Sequence, residues 1–130
     1  MVDKTKIAIP IYGGRVSNVF DFAHRLLIIE FENEKESARS EVDLSAVAPM
    51  QRAGRLQQLK VNVLVCGAIS RPLAGMIAAE GIEVIPYITG GTEEVIQAYI
   101  DGVLRTTPRY RVPGCGAGPG RGRRWRHGIK

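Results

Sequence analysis

The second half of the chain contains the same order twice: a short apolar strand, a glycine-containing turn and a helix. The strand patterns are residues 61–65 and 82–87, and the helical patterns follow Gly67 and Gly91. A strand that is followed by a helix and a second strand usually returns parallel to the first, with the helix packed on the sheet. This half therefore predicts parallel strands covered by helices.

The first half adds at least one antiparallel strand. Residues 6–12 and 25–32 are short runs rich in Ile and Leu, and residues 36–44 alternate weakly after a polar turn at Asn33. The last two runs predict a hairpin. A stripe of apolar residues at steps of three then predicts a helix over residues 46–59. The predicted order is β-β-β-α-β-α-β-α, in a single α/β domain with a mixed five-stranded sheet and three helices.

The helical patterns also predict inward-facing residues and helix ends. Ser70 and Thr92 are the predicted N-caps of the second and third helices, and Gly81 is the predicted left-handed C-terminal residue of the second. The residues predicted to face inward are Met50, Ala53, Leu56, Leu59, Leu73, Met76, Ile77, Val95, Ile96, Tyr99, Ile100 and Val103.

Charge divides the chain at Leu104. Residues 1–104 hold 13 acidic and 10 basic side chains, a net charge of −3, whereas residues 105–130 hold eight basic and no acidic ones. The second segment is also rich in Gly and Pro and has no apolar periodicity. We therefore predict a folded domain over residues 1–106 and a flexible Gly/Arg-rich basic tail over residues 107–130.

Several classes of protein are disfavoured by what the sequence contains. No apolar run approaches the roughly 20 residues of a membrane-spanning helix, and the amino terminus does not resemble a signal peptide. Cys66 and Cys115 do not form a disulfide framework. We predict a cytoplasmic protein with no membrane partner.

The candidate site residues are of two types, possible metal ligands and possible anion contacts. They follow predicted strands or lie in the tail. His24, Cys66 and Cys115 are borderline or soft ligands suited to iron, zinc or copper, and a helix amino terminus next to Cys66 is expected to lower the pKa of its thiol. Glycine-containing turns after strands one and four can hold an anion on backbone N–H groups. The predicted anion contacts are Arg15, Ser17, Gly67, Ser70 and Arg71.

The order of these segments resembles the dinitrogenase iron–molybdenum cofactor-binding family, which includes NifX-like carriers. The similar segments are residues 6–10, 14–24, 27–31, 62–70, 81–87 and 91–104. The resemblance implies a ribonuclease H-like topology and a non-catalytic protein that binds or carries an iron–molybdenum or iron–sulfur cluster. It also implies cluster-assembly or acceptor proteins as partners. Where carriers of the nitrogenase pathway often have His-Phe-Gly, this chain has Val19-Phe20-Asp21, and its nearest histidine is His24.

An alternative function rests on the tail. Four arginines surround Trp125 within residues 121–126, a composition that suits RNA or another phosphate-rich partner. The alternative is therefore a nucleic-acid or protein interaction module that acts through the basic tail, although the shortness of the segment argues against specific nucleic-acid binding. The sequence gives little support to catalysis, because no nucleophile and base lie together in a recognisable motif.

Overall fold

The computed structural model describes residues 4–33, 35–102 and 104. The strands are β1 (Lys4–Tyr12), β2 (Arg15–Val16), β3 (Arg25–Glu32), β4 (Lys35–Asp43), β5 (Val63–Val65) and β6 (Glu83–Ile85). The helices are α1 (Arg52–Gln58), α2 (Arg71–Ala79) and α3 (Thr92–Ile100), with short 3-10 turns at Phe20–Phe22 and Pro49–Gln51. The predicted tail, including Cys115 and His127, lies outside the described residues.

The sheet is mixed, as predicted. Its strand order is β4-β3-β1-β5-β6, and β2 pairs with the end of β1. Strands β3 and β4 are antiparallel to their neighbours, whereas β1, β5 and β6 are mutually parallel. The carboxyl ends of β1, β5 and β6 therefore lie at one edge of the sheet. The ribonuclease H-like topology stays a prediction.

Helices cover both faces of the sheet. Alternate strand residues point to opposite sides, so the apolar strands present side chains to both layers of helices. Ile7, Ile9 and Ile29 belong to the apolar cluster that includes residues of α3. Ala8 and Ile28 belong to the cluster that includes residues of α1 and α2. The result is a three-layer α/β domain with an apolar core on each side of the sheet.

The prediction that Met50, Met76 and Ile100 face inward is wrong. Met50 precedes α1 in a 3-10 turn, so the regular stripe does not extend to it, and its side chain is exposed. Met76 is also exposed because the inner face of α2 is formed by Leu73 and Ile77, four residues apart. Ile100 is exposed at the end of α3, and Val103 lies outside the described residues.

The helix ends differ from the predicted caps in two places. Gly91, not Thr92, is the N-cap of α3, and the Thr92 N–H donates to the Gly14 carbonyl at 2.9 Å. Ser70 is the N-cap residue of α2, but its hydroxyl makes no capping hydrogen bond within the helix. Gly81 has the predicted left-handed backbone, with φ +83°.

Edge strand β4 is joined to α3 by one arginine. Arg39 contacts Glu36 at 2.7 Å and Glu93 of α3 at 2.6 Å. The hydrogen bond from Arg39 lowers the pKa of Glu36, and the hydrogen bonds to Glu36 and then Glu93 raise the pKa of Arg39. These exposed ion pairs connect β4 to α3, and each contributes only modestly to the stability of the fold.

The described helices are all short. None of them is both long and apolar enough to span a membrane.

Candidate functional site

The candidate site lies at the carboxyl edge of the parallel strands. The chain leaves β1 through the Gly13-Gly14 turn, forms β2 and continues as the loop of residues 17–24, which we call the crossing loop. The chain leaves β5 through the turn of residues 66–70 into α2. In open α/β sheets, ligands bind where such segments meet beyond the strand ends.

The crossing loop lies directly against the turn after β5. The Ala68 N–H donates to the Asn18 carbonyl at 2.7 Å, and the Phe20 N–H donates to the Ala68 carbonyl at 2.8 Å. Gly67 permits this approach, because a Cβ at that position would lie 2.5 Å from the Asn18 backbone oxygen and 2.7 Å from that of Ser17. The two backbones therefore pack so closely at Gly67 that a side chain would not fit there.

A buried carboxylate links the crossing loop to the start of α2. Asp21 accepts hydrogen bonds from the Ser70 N–H at 2.9 Å and from the Ser70 hydroxyl at 2.6 Å. A carboxylate at this position also interacts favourably with the positive end of the helix dipole. Asp21 thus takes the place that an external anion would occupy at this helix terminus.

Arg52 holds the crossing loop from beneath. Its side chain is only 4% exposed, and its guanidinium donates to the carbonyls of Phe20 at 2.7 Å and Ala23 at 2.8 Å. It also donates to Leu44 and Val47, both at 3.1 Å, and lies 5.7 Å from the centre of the Phe20 ring. Burial lowers the pKa of Arg52, whereas the negative charge of Asp21 acts in the opposite direction.

The outer side of the crossing loop forms an open concavity of about 410 Å³, which we call the concavity. Among the described residues its lining contains one imidazole and one guanidinium but no carboxylate and no thiol, so its permanent charge is the positive charge of Arg15. The lining residues are Ile11, Tyr12, Arg15, Val16, Ser17, Asn18, Phe22, Ala23 and His24.

His24 lies where the crossing loop enters β3. Its side chain is exposed. Its carbonyl accepts a hydrogen bond from the Leu44 N–H at 2.7 Å, which anchors the backbone of His24 to the residue that follows β4. The pKa of nearby Asp43 is lowered mainly by hydrogen bonds from Ser45, and the charges of Arg25 and His24 lower it further. The imidazole therefore projects from an anchored backbone.

The structure brings together three of the predicted site residues and separates the others. Arg15, Ser17 and His24 line the concavity. Gly67 lies beneath the crossing loop, and Ser70 is bonded to Asp21. Arg71 is exposed on the first turn of α2 and does not line the concavity, and Cys115 lies outside the described residues.

Cys66 is an interior residue. Its side chain has no exposed surface and belongs to the apolar cluster on the α1 and α2 side of the sheet. Burial, and secondarily the charge of Asp21, raises the pKa of its thiol to about 12. The predicted lowering of this pKa is wrong, because the sulfur packs into the core and Asp21 occupies the positive end of α2.

We expect Cys66 to be unreactive in the folded protein. With a pKa of about 12 and no exposed surface, the thiol stays protonated at pH 8 and out of reach of reagents. A colorimetric thiol assay of the Cys115→Ser variant should detect almost no thiol at pH 8 until denaturant is added. Rapid reaction without denaturant would contradict this placement and restore Cys66 as a candidate ligand.

Sequence reasoning missed the residues that shape the site. Arg52 gave no signal, because it stands within an apolar helical stripe and its partners are backbone carbonyls from distant segments. Tyr12 and Phe22 were also missed, since exposed aromatic residues cannot be distinguished from core residues by sequence alone. For Asp21 there was one signal, namely its departure from the glycine that often occurs at this position.

No three side chains of His, Cys, Asp or Glu form a metal-binding group within residues 4–33, 35–102 and 104. The concavity nevertheless has side chains that can contact a metal ion or an anion. Its imidazole is a suitable metal ligand, and its guanidinium, hydroxyl and amide groups suit an anionic surface.

The sequence matches the profile of a known protein family. The sequence profile described as "Dinitrogenase iron-molybdenum cofactor" matches residues 3–102. A comparison with curated proteins gives no significant match.

Several solved structures have a similar fold, among them the following three. The crystal structure of PH0822 has a TM-score of 0.72 at 20% identity, over 75% of this chain and 90% of PH0822. MJ0327 of Methanocaldococcus jannaschii, provisionally described as a dinitrogenase, has a TM-score of 0.66 at 19% identity, over 78% of this chain and 93% of MJ0327. The Thermotoga protein TM1290, provisionally described as a NifB protein, has a TM-score of 0.61 at 21% identity, over 75% of this chain and 89% of TM1290.

Proposed function

Since the chain belongs to the dinitrogenase iron–molybdenum cofactor family, we propose that it is a non-catalytic carrier that holds an anionic iron–molybdenum–sulfur or iron–sulfur cluster in the concavity. The observation that carries this proposal is the charge of the lining. Arg15 contributes a guanidinium and His24 an imidazole, and none of the described residues that line the concavity is acidic. The cargo is a substrate of the carrier and passes between assembly and acceptor proteins.

His24 is the proposed metal ligand of the concavity. An imidazole binds iron well, and the lining residues that the structure describes include no thiol that would compete with it. The anchored backbone of His24 limits where the ring can lie, so less conformational entropy is lost when it binds.

Arg15 and Ser17 complete the proposed binding surface. The guanidinium of Arg15 is exposed and can donate to sulfide or oxo groups of an anionic cluster, and Ser17 offers a hydroxyl donor. Predicted contacts from Gly67 and Ser70 are less well supported, since the former is covered by the crossing loop and the latter is bonded to Asp21.

The contacts that hold the crossing loop on two sides support a carrier that binds without rearrangement. Arg52 holds it from below, Asp21 ties it to α2, and the Gly67 turn bonds to it through Ala68. A site held on both sides loses little entropy on binding. The lining residues bind and orient the cargo, and we assign them no chemical step.

The experiment is anaerobic loading of the full chain with ferrous iron, sulfide and molybdate, followed by gel filtration and measurement of metal per chain. We expect the wild type to retain metal well above a control protein of similar size and charge. His24→Ala should weaken retention at least about tenfold, equivalent to about 1.4 kcal/mol, because the metal loses its imidazole ligand.

Two pairs of variants locate the site. Arg15→Ala should weaken retention, whereas Arg71→Ala should not, because only Arg15 lines the concavity. Cys66→Ala should also retain metal, since the thiol is buried. Cys115→Ser tests the remaining predicted ligand. Retention by the wild type no better than by the control protein would contradict the carrier function.

A further inference from the structure

The outer edge of β4 has no neighbouring strand among residues 4–33, 35–102 and 104. This strand lies at one end of the sheet order and is 9 residues long. Apart from Val42, every residue of β4 is exposed. The edge of a sheet presents unpaired N–H and C=O groups that can pair with a further strand. The edge of β4 is therefore available as an interaction surface.

The hydrogen bonds to β3 show which residues of β4 direct their backbone groups outward. The Leu44 N–H donates to the His24 carbonyl at 2.7 Å, so it points towards β3. Hydrogen-bonded and non-hydrogen-bonded pairs alternate along an antiparallel ladder, and the register from Leu44 to Ser40 is regular. Ser40 therefore also bonds to β3, whereas the N–H and C=O groups of Arg39 and Glu41 point away from the sheet.

The charges along this edge are complementary to those of a second copy. In a two-fold symmetric antiparallel pair centred on Ser40, Arg39 of each copy lies opposite Glu41 of the other. These are hydrogen-bonded pairs, because the backbone groups of both residues point outward. A shift of two residues would place two Arg39 or two Glu41 side chains opposite each other, which is unfavourable. The charges therefore favour one register.

The other face of the strand also permits this register. Ala38, Ser40 and Val42 point to the side opposite to Arg39, because successive strand residues alternate. Ala38 then lies opposite Val42 of the other copy, and the two Ser40 residues lie opposite each other. The Cα atoms of such non-hydrogen-bonded pairs approach to about 4.5 Å. These small, uncharged side chains allow that approach.

We propose that two copies of this chain associate edge to edge through β4, with Arg39 opposite Glu41, and so form one continuous sheet. Residues 105–130 do not offer the same reciprocal pattern, since they contain no acidic side chain to place opposite Arg39. None of the residues of β4 lines the concavity. The proposal therefore goes beyond the carrier function and requires no metal.

Ion pairs within each copy connect to the proposed interface. Arg39 contacts Glu36 and Glu93, and Glu41 contacts Arg25 at 3.1 Å. Placing Arg39 opposite Glu41 of the other copy joins these pairs into one network, and networks contribute more than isolated surface pairs. The strand edge is nevertheless a small interface compared with those of permanent dimers. The dimer should therefore form reversibly as the protein concentration rises.

The test is light scattering during gel filtration of the full chain without metal, over a wide range of protein concentration. The molar mass should rise from 14.2 kDa towards about twice that value. Glu41→Arg should stay monomeric, because Arg39 then faces another arginine. Adding Arg39→Glu to this variant exchanges the two charges and should restore the dimer. The matched control is Glu80→Arg at the exposed end of α2, which should dimerise like the wild type.

Residue-specific hydrogen exchange tests the register in the wild-type protein, without any substitution. The N–H groups of Arg39 and Glu41 should exchange quickly in dilute protein and slowly in the dimer. The Ser40 N–H should exchange slowly in both, because it bonds to β3 in each copy. Circular dichroism should show native secondary structure in every variant, since the substituted residues are exposed.

Two outcomes would overturn the proposal. One is a chain that stays monomeric at every concentration; protected N–H groups at Arg39 and Glu41 in that monomer would show that another segment of the same chain covers the edge. The other is a dimer that persists unchanged in Glu41→Arg, which would place the interface elsewhere. Neither outcome changes the expected metal retention, so the carrier function is tested separately.

Discussion

Replacing Arg52 with methionine should lower the free energy of unfolding by about 3 kcal/mol. Methionine keeps much of the apolar length but removes every donor, so the carbonyls of Phe20, Ala23, Leu44 and Val47 lose their partner together. Urea unfolding monitored by circular dichroism measures this loss. The crossing loop should also become mobile, because two of the four carbonyls belong to it.

The matched control is Arg55→Met in the same helix. Arg55 makes only a long 3.4 Å contact with Gln58 on the surface, so its replacement should change stability by less than about 0.5 kcal/mol. Equal effects of the two substitutions would contradict the role assigned to Arg52. Metal retention should fall in Arg52→Met even under conditions in which the variant is folded, since the position of His24 depends on the loop.

Gly67→Ala should have a comparable effect through close packing of backbones. The added Cβ would lie within 2.7 Å of the backbone oxygens of both Ser17 and Asn18, which are not flexible side-chain ends. The loop must move away and lose the hydrogen bonds between Ala68 and residues Asn18 and Phe20. We expect a loss of about 2–3 kcal/mol in stability and a clear loss of metal retention.

Gly75→Ala provides the control for this prediction. Gly75 is in α2, and a Cβ there would meet no atom within 4 Å. Alanine is the better helix former, so this variant should gain about 0.5–1 kcal/mol. A stable, metal-retaining Gly67→Ala protein would show that the crossing loop does not need its observed contact with residue 67.

The sequence predicted the mixed sheet and the three helices because the strands and helices depend on local periodicity. Strand β3 was predicted with its observed bounds, as a run of apolar residues that becomes alternating at Glu30. The left-handed residue at Gly81 was predicted because helices often end in this way. Errors occurred at helix starts: Met50 lies in a 3-10 turn that precedes α1, and the Thr92 N–H is bonded to the distant Gly14 carbonyl.

The candidate site was predicted only in part, for a related reason. Arg15, Ser17 and His24 are near one another in sequence, so predicting that they share one surface required only the position of a loop after a strand. Cys66 was placed at the correct strand end, but its direction depends on the register of β5 against two helices. The support supplied by Arg52 and Asp21 depends on tertiary contacts that no local pattern encodes.

The central claim is that anionic cluster cargo occupies the concavity. The most direct test compares two-dimensional amide spectra of ¹⁵N-labelled protein with and without ferrous iron, sulfide and molybdate under anaerobic conditions. The account predicts that shifts or line broadening concentrate in residues 11–18 and 22–24 and are lost in His24→Ala. Perturbations confined to residues 105–130, or spread without regard to the concavity, would contradict it and favour a function that resides in the basic tail.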